Sequence, residues 1–174
     1  MKLKNVLIIT ADMCDDSEVM YPYYRMLEEG YNVDVASFDR TVLKAKYHFT
    51  IDANISLSEV KCDKYDCLIL PGGTAPEKLR QNSYVISIVK EFEKAKKPIA
   101  AICHGQQILI SSDVLRGKTA TCYPGIRDDL KNSGAIYSDE CVVVSQNLVT
   151  SRRPEDLPYF MREFVKLVNG DVRK

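Results

Sequence analysis

The chain has no tryptophan and only two histidines, His48 and His104, in 174 residues. Any chemistry that needs imidazole must use one of those two side chains. Six cysteines, at 14, 62, 67, 103, 122 and 141, include no C-x-x-C pair, and His48 lies near none of them in sequence. Zinc-type ligand spacing is therefore missing, and no metal or cofactor is expected. A charge excess is also missing: Lys+Arg and Asp+Glu both number 24, so nothing pulls the chain toward nucleic acid or an anionic membrane surface. Long apolar runs, low-complexity tracts and internal repeats are absent as well. The run after Met1–Asn5 is too short for a signal peptide or a membrane span. Without a secretory signal the cysteines are expected to stay reduced. These absences predict a cytoplasmic protein, one domain over residues 1–174, large enough to bury a real core.

What is present centres on Pro98-Ile-Ala-Ala-Ile-Cys103-His104-Gly105-Gln-Gln-Ile-Leu-Ile110. Ile99 to Ile102 is an uninterrupted apolar run, as in a strand buried on both faces. The chain then restarts with helical character at Ile108. A cysteine on such a strand-to-helix turn has the setting of a nucleophile elbow, with small neighbours, strained backbone and an exposed side chain. The helix start adds unpaired N–H groups that favour a thiolate. The plainer reading makes Cys103 a packed small hydrophobe; the flanking His and Gly favour the nucleophile. Adjacent side chains on an extended backbone point to opposite faces, so a catalytic His104 requires a strained turn.

Elsewhere the pattern alternates between β and α. Val6–Ile9 and Val33–Ser37 read as strands around a helix carrying Val19, Met20, Tyr23, Met26 and Leu27, capped by Asp15 or Asp16 and ended at Gly30. Pro22 should bend or interrupt it. Alternation over Leu43–Leu57 suits half-exposed antiparallel strands. Cys67–Leu70 is a buried strand halted by Pro71-Gly72-Gly73, with Glu77 in a short helical turn beyond. Val85, Ile88, Val89 and Phe92 mark a helix. Short strands are expected at Thr119–Thr121 and Ala135–Tyr137, a hairpin over Cys141–Thr150, and a final amphipathic helix from Pro154. The fold class is α/β, a three-layer sandwich with a mainly parallel, flavodoxin-like sheet. Ligands in such sheets bind at the carboxyl ends of the strands, where Ala11–Asp16, Pro71–Glu77 and Cys103–Gly105 all fall.

Six segments carry a resemblance: Leu7-Ile-Ile-Thr-Ala11 with Asp15-Asp-Ser-Glu18; Leu70-Pro-Gly-Gly73-x-Ala-Pro-Glu77; Ala101-Ile-Cys-His-Gly105-x-Gln-Ile-Leu-Ile110; Val114-Leu-Arg-Gly117; Tyr123-Pro-Gly-Ile-x-Asp-Asp129; and Thr150-Ser-Arg-x-Pro-x-Asp-Leu157. The chain resembles the ThiJ/PfpI family, in its intracellular protease I branch, within the class I glutamine amidotransferase-like superfamily. The resemblance implies a cysteine-dependent enzyme with Cys103 as nucleophile. It places an acid against the sulfur at the position matching Asp15, and a Cys-His-Glu set completed by Glu77 from a neighbouring subunit. Oxyanion-hole N–H groups match Gly73 and His104, and a pocket tyrosine matches Tyr123. It also implies homodimers that can assemble into hexamers. Three departures stand out: Asp15 where the family usually has Glu, Gln106 where the branch usually has Pro, and Ala45-Lys-Tyr-His48 where a Gly-x-His-Gly-like turn is common.

The resulting expectation is a hydrolase in which Cys103 attacks a carbonyl carbon of a peptide amide or a glyoxal-derived adduct, as in a deglycase. Alternatives are glyoxalase-type conversion of methylglyoxal to lactate, and a redox-responsive or holdase stress protein using an oxidisable Cys103. Substrates would be small carbonyl compounds or peptides. Read alone, Glu77 is an exposed acid, Asp15 a helix cap, Asp12 solvated, His48 a surface residue and Cys14 a packed thiol. Arg152 and Arg153 are expected to hold the last helix through an ion pair rather than to bind a carboxylate or phosphate.

Overall fold

The computed structural model describes residues 3–171. Strand β1 (Asn5–Ile9) leads into helix α1 (Asp16–Glu28), and the chain returns through β2 (Asn32–Ser37). A side hairpin, β3 (Thr41–Lys44) with β4 (Thr50–Ala53), precedes β5 (Ile55–Ser56). Then come β6 (Cys67–Leu70), α2 (Ala75–Leu79), α3 (Ser83–Lys94), β7 (Ile99–Ile102) and α4 (Gln106–Ser111). The last third holds β8 (Thr119–Ala120), α5 (Arg127–Asn132), β9 (Ile136–Tyr137), the pair β10 (Val142–Ser145) and β11 (Leu148–Ser151), and α6 (Leu157–Asn169).

Seven strands form the main sheet in the order β10-β11-β7-β6-β1-β2-β5. Every pairing in it is parallel except the β10–β11 hairpin. Its central strands VLII, CLIL and IAAI are buried at every position, because helices cover both faces of the sheet. Helix α1 packs on α6, while α2, α3 and α5 gather around α4. Phe92, Phe160 and Phe164 fill the two helix–sheet layers and are fully buried. Among the described residues no helix is long and apolar enough to cross a membrane.

Most expected elements form at their expected places. The stretch 43–57 is the partial exception: β3 and β4 are antiparallel as alternation predicts, but Ile55–Ser56 leaves the hairpin and pairs parallel with β2 at the sheet edge. Helix α1 is also continuous through Pro22. One missing N–H there is tolerated because Pro22 and the following Met26 are buried against the core, and packing outweighs a single lost bond. A 3-10 turn at Pro154–Asp156 precedes α6, so the proline opens the turn rather than the helix itself.

The close fit of β6 against the start of α4 rests on Gly105. A Cβ built there would lie deep inside van der Waals contact of the Leu70 carbonyl oxygen and 2.9 Å from that of Ile102. Both neighbours are backbone and cannot step aside. Gly105→Ala is therefore expected to destabilise the protein by roughly 2–4 kcal/mol through overpacking, read as a lowered midpoint in urea denaturation followed by circular dichroism. An unchanged midpoint would refute this fit.

Candidate active site

Three loops meet at the carboxyl edge of the sheet, after β1, β6 and β7. Their contact is close: a Cβ on Gly73 would meet Met13 O and Asp15 N at 2.5 Å, and one on Gly72 would meet Cys103 Cβ at 2.8 Å and His104 N at 2.9 Å. Gly73 has φ +76, open to glycine without strain. The β3–β4 hairpin is fastened over the first loop. Asp16 accepts the N–H groups of Tyr47 and Phe49 at 2.8 and 2.9 Å, and Asp12 accepts that of Lys44 at 2.8 Å. Asp12, expected to be merely solvated, thus holds the hairpin base. This clamp closes the Ala45–His48 turn although its sequence departs from the branch's glycine-containing turn; His48 takes φ +74 and is exposed.

Cys103 is the turning point. Its φ is +61, a left-handed conformation that costs a non-glycine residue about 1–2 kcal/mol. Two backbone hydrogen bonds hold it there: Cys103 N–H donates to Ser151 O at 3.1 Å, and Tyr123 N–H donates to Cys103 O at 3.2 Å. The turn brings the next residue back over the sulfur, so His104 Nδ1 lies 3.3 Å from Sγ. An extended backbone would have sent it the other way. The N–H groups of His104 and Gly73 also face the sulfur. The sulfur's residue is 8% exposed, reachable but largely dry.

The acid at the sulfur is Glu18, and this corrects the expectation for Asp15. Asp15 is the N-cap of α1: its Oδ1 accepts from Ser17 N at 3.1 Å, Ser17 Oγ at 2.6 Å and Glu18 N at 3.4 Å. Capping turns that carboxylate along the helix start. Glu18, in the first turn, projects inward instead, is fully buried, and accepts the Gly72 N–H through Oε2 at 2.8 Å. Its carboxyl lies beside the Cys103 side chain, both of them crowding the same point over Gly72, and its Oε1 is buried without a hydrogen-bond partner. No shortening of the acid has occurred, because the glutamate is three residues further on. An isolated sequence hides this: a glutamate in a first turn already has a sufficient explanation in the helix dipole, and only its lack of exposure betrays another use.

The remaining candidates divide. Tyr123 stacks on His104 with ring centroids 4.7 Å apart and is 41% exposed, so it lines the mouth. Glu77 lies exposed in the first turn of α2, close enough for its charge to act on His104, and makes no side-chain hydrogen bond to that imidazole. Cys14 is fully buried and its thiol is pushed up to about 11 by burial, so it is packed rather than reactive. Arg152 forms the expected ion pair with Asp156 at 2.9 Å, and a second with Asp139 at 2.9 Å. Among the described residues no cluster of three His, Cys, Asp or Glu side chains is arranged to hold a metal.

Glu18 and Cys103 form a coupled pair. Burial pushes the Glu18 carboxyl up to about 8, reinforced by the charge of Asp15 and opposed by the Gly72 N–H. Burial and the Glu18 carboxylate push the Cys103 thiol up, while the His104 and Gly73 N–H groups pull it down. A proton placed on Glu18 removes the repelling charge and turns the carboxyl into a donor toward the sulfur. Burial lowers the His104 pKa, so its ring is neutral near pH 7 and able to accept a proton.

The Glu18 shift has a sign that can be checked. Between the ordinary 4.5 and about 8 the folded protein keeps a proton that the unfolded chain has released, so this group's contribution to stability falls as pH rises through that window. Glu18→Gln removes the titration while still offering an acceptor to Gly72 N–H. The difference in urea midpoint between Glu18→Gln and wild type is expected to move in favour of the variant from pH 5 to pH 8. A pH-independent difference would contradict the buried protonated carboxyl.

Comparison with known proteins identifies the family. The DJ-1/PfpI family profile matches residues 4–167. The chain is 50% identical over 163 residues to a deglycase of Pyrococcus abyssi, covering 94% of this chain and 98% of that protein. It is 39% identical over 166 residues to YraA of Bacillus subtilis, which is named as a candidate cysteine protease, covering 95% and 98%. The crystal structure of Drosophila melanogaster DJ-1beta superposes with a TM-score of 0.90 at 29% identity, over 97% of this chain and 92% of that one. The chain belongs to the DJ-1/PfpI family.

Proposed function

We propose that the protein is a cysteine-dependent hydrolase acting at a carbonyl carbon, of the deglycase or peptidase type, with Cys103 as nucleophile. The observation that carries this reading is the sulfur's set of partners. At a left-handed turn, Cys103 faces two backbone N–H groups, a buried carboxyl and an imidazole nitrogen at 3.3 Å. With its proton passed to His104 Nδ1, 3.3 Å away, the Cys103 thiolate adds to the carbonyl carbon and the π electron pair moves to oxygen. The Gly73 and His104 N–H groups, already turned to the sulfur, are placed for that oxyanion. Collapse of the adduct breaks the bond to the leaving amine, which takes from His104 the proton that the thiol gave up. Water, deprotonated by the same imidazole, then attacks the thioester, releases the acid and regenerates the thiol. Methylglyoxal would form a thiohemiacetal on the same apparatus, which is why the names of the relatives, deglycase and candidate cysteine protease, both suit it.

Wild type and Cys103→Ala should be assayed on a methylglyoxal-treated peptide, an unmodified unstructured peptide and free methylglyoxal. Wild-type turnover is expected on at least one, with a loss on the order of 10³-fold or more in the variant. Which substrate responds separates deglycase, peptidase and glyoxalase activity. Equal turnover by both proteins on every substrate would sink the enzymatic reading, and selective peroxide oxidation of Cys103 without turnover would favour a sensor.

We further propose that Glu77 serves the His104 of a neighbouring copy in a homodimer, with hexamers a further assembly. Two features support this: Glu77 is exposed at the rim and makes no hydrogen bond to its own His104. Specific activity should then fall on dilution in step with loss of the dimer by light scattering. A fully active monomer would leave Glu77 without a role.

A further inference from the structure

Gln106 stands at the first position of α4 and is fully buried. Its side chain does not follow the helix; it turns back beneath the elbow. There Nε2 donates to Ser151 O at 2.8 Å and Thr121 O at 2.9 Å, with Ala101 O at 3.1 Å. An amide nitrogen carries two protons, so three carbonyls share them. Ser151 O is the same oxygen that accepts the Cys103 N–H, and Thr121 lies two residues before Tyr123, whose N–H holds the Cys103 carbonyl. Both backbone clamps that keep Cys103 at φ +61 are therefore anchored on segments joined by one side chain. Gln106 Oε1 is buried without a hydrogen-bond partner. Rotating the amide would set that oxygen against three carbonyl oxygens, so the donor orientation is enforced although an acceptor is left bare.

We propose that Gln106 is a positioning residue for the nucleophile: its amide ties the end of β7, the segment after β8 and the end of β11 into one unit and thereby holds Cys103 and the His104 N–H in register. The inference rests on Cys103 being the reactive group. A proline, usual here in the branch the chain resembles, would stiffen the helix start through its ring but could not bridge these carbonyls. In this protein the rigidity comes from a hydrogen-bonded amide instead.

The test reads the reactivity of Cys103 directly and needs no knowledge of the substrate. Peptide-resolved mass spectrometry would follow alkylation of Cys103 by iodoacetamide from pH 6 to 9 in wild type, Gln106→Leu and Gln106→Glu, with folding checked at each pH by circular dichroism. Leucine keeps the approximate volume and removes the donors. If the His104 N–H drifts from the sulfur, the thiol pKa rises, and a rise of one unit slows alkylation about tenfold near neutral pH. Gln106→Leu is expected to show a slowing of that order with its pH profile displaced upward, while remaining folded. The Gln106→Glu carboxyl can donate one O–H when protonated, but when ionised it faces three carbonyl oxygens. A thiol's own ionisation makes the rate climb about tenfold per pH unit, and loss of the protonated carboxyl can at most cancel that climb, so the Gln106→Glu rate should level off where wild type keeps rising. If Gln106→Leu does not fold, this flattened slope in Gln106→Glu carries the test alone. Profiles of both folded variants that superimpose on wild type, or a Gln106→Glu rate that climbs in parallel with it, would overturn the proposal and leave Gln106 a packing residue. Alkylation at the expected rates in a protein that turns over no substrate would instead count against the catalytic reading and leave the positioning role standing.

Discussion

The site depends on one backbone torsion. At φ +61 Cys103 ends a fully buried strand and reverses the chain within a residue. Everything chemically useful follows from that reversal: the imidazole of the next residue folds back onto the sulfur, its N–H points the same way, and α4 begins directly beneath. Such a conformation is unfavourable for any side chain with a Cβ. It persists because hydrogen bonds from two other segments grip the residue on both sides, and because Gly72, Gly73 and Gly105 let three backbones approach more closely than side chains would allow.

The electrostatics follow from burial. A dry sulfur and a dry carboxyl side by side cannot both carry charge, so the Glu18 carboxyl keeps its proton well above the ordinary range. The neutral imidazole provides a second proton carrier on the solvent side, covered by Tyr123. The acid thus comes from the segment after β1, Cys103 and the His104 N–H from the turn after β7, and the Gly73 N–H from the loop after β6. In a parallel sheet these loops all leave from the same edge, so assembling the site requires no long excursion of chain. The hairpin clamp by Asp12 and Asp16 limits movement of the first of them.

Much of this was legible in the residues themselves. Uninterrupted apolar runs marked β1, β6 and β7, since only strands covered on both faces carry them; spaced apolar positions marked α3 and α6; and Cys103 between a strand and a helix announced the elbow. The local sequence also narrowed the cap of α1 to Asp15 or Asp16, because capping depends on a few adjacent backbone N–H groups and nothing distant. What it could not determine is which acid reaches the sulfur. Asp15 and Glu18 differ by three positions, and in a forming helix that distance decides whether a carboxyl follows the axis or enters the core. That choice is settled by where α1 packs against the sheet. The same holds for Gln106, which reads as an ordinary polar residue at a helix start and becomes a bridge only when segments up to 45 residues away lie around it. Local sequence decides conformations whose partners are near neighbours; partners brought together by the sheet are decided by tertiary packing, because their contacts carry no spacing signal in the chain.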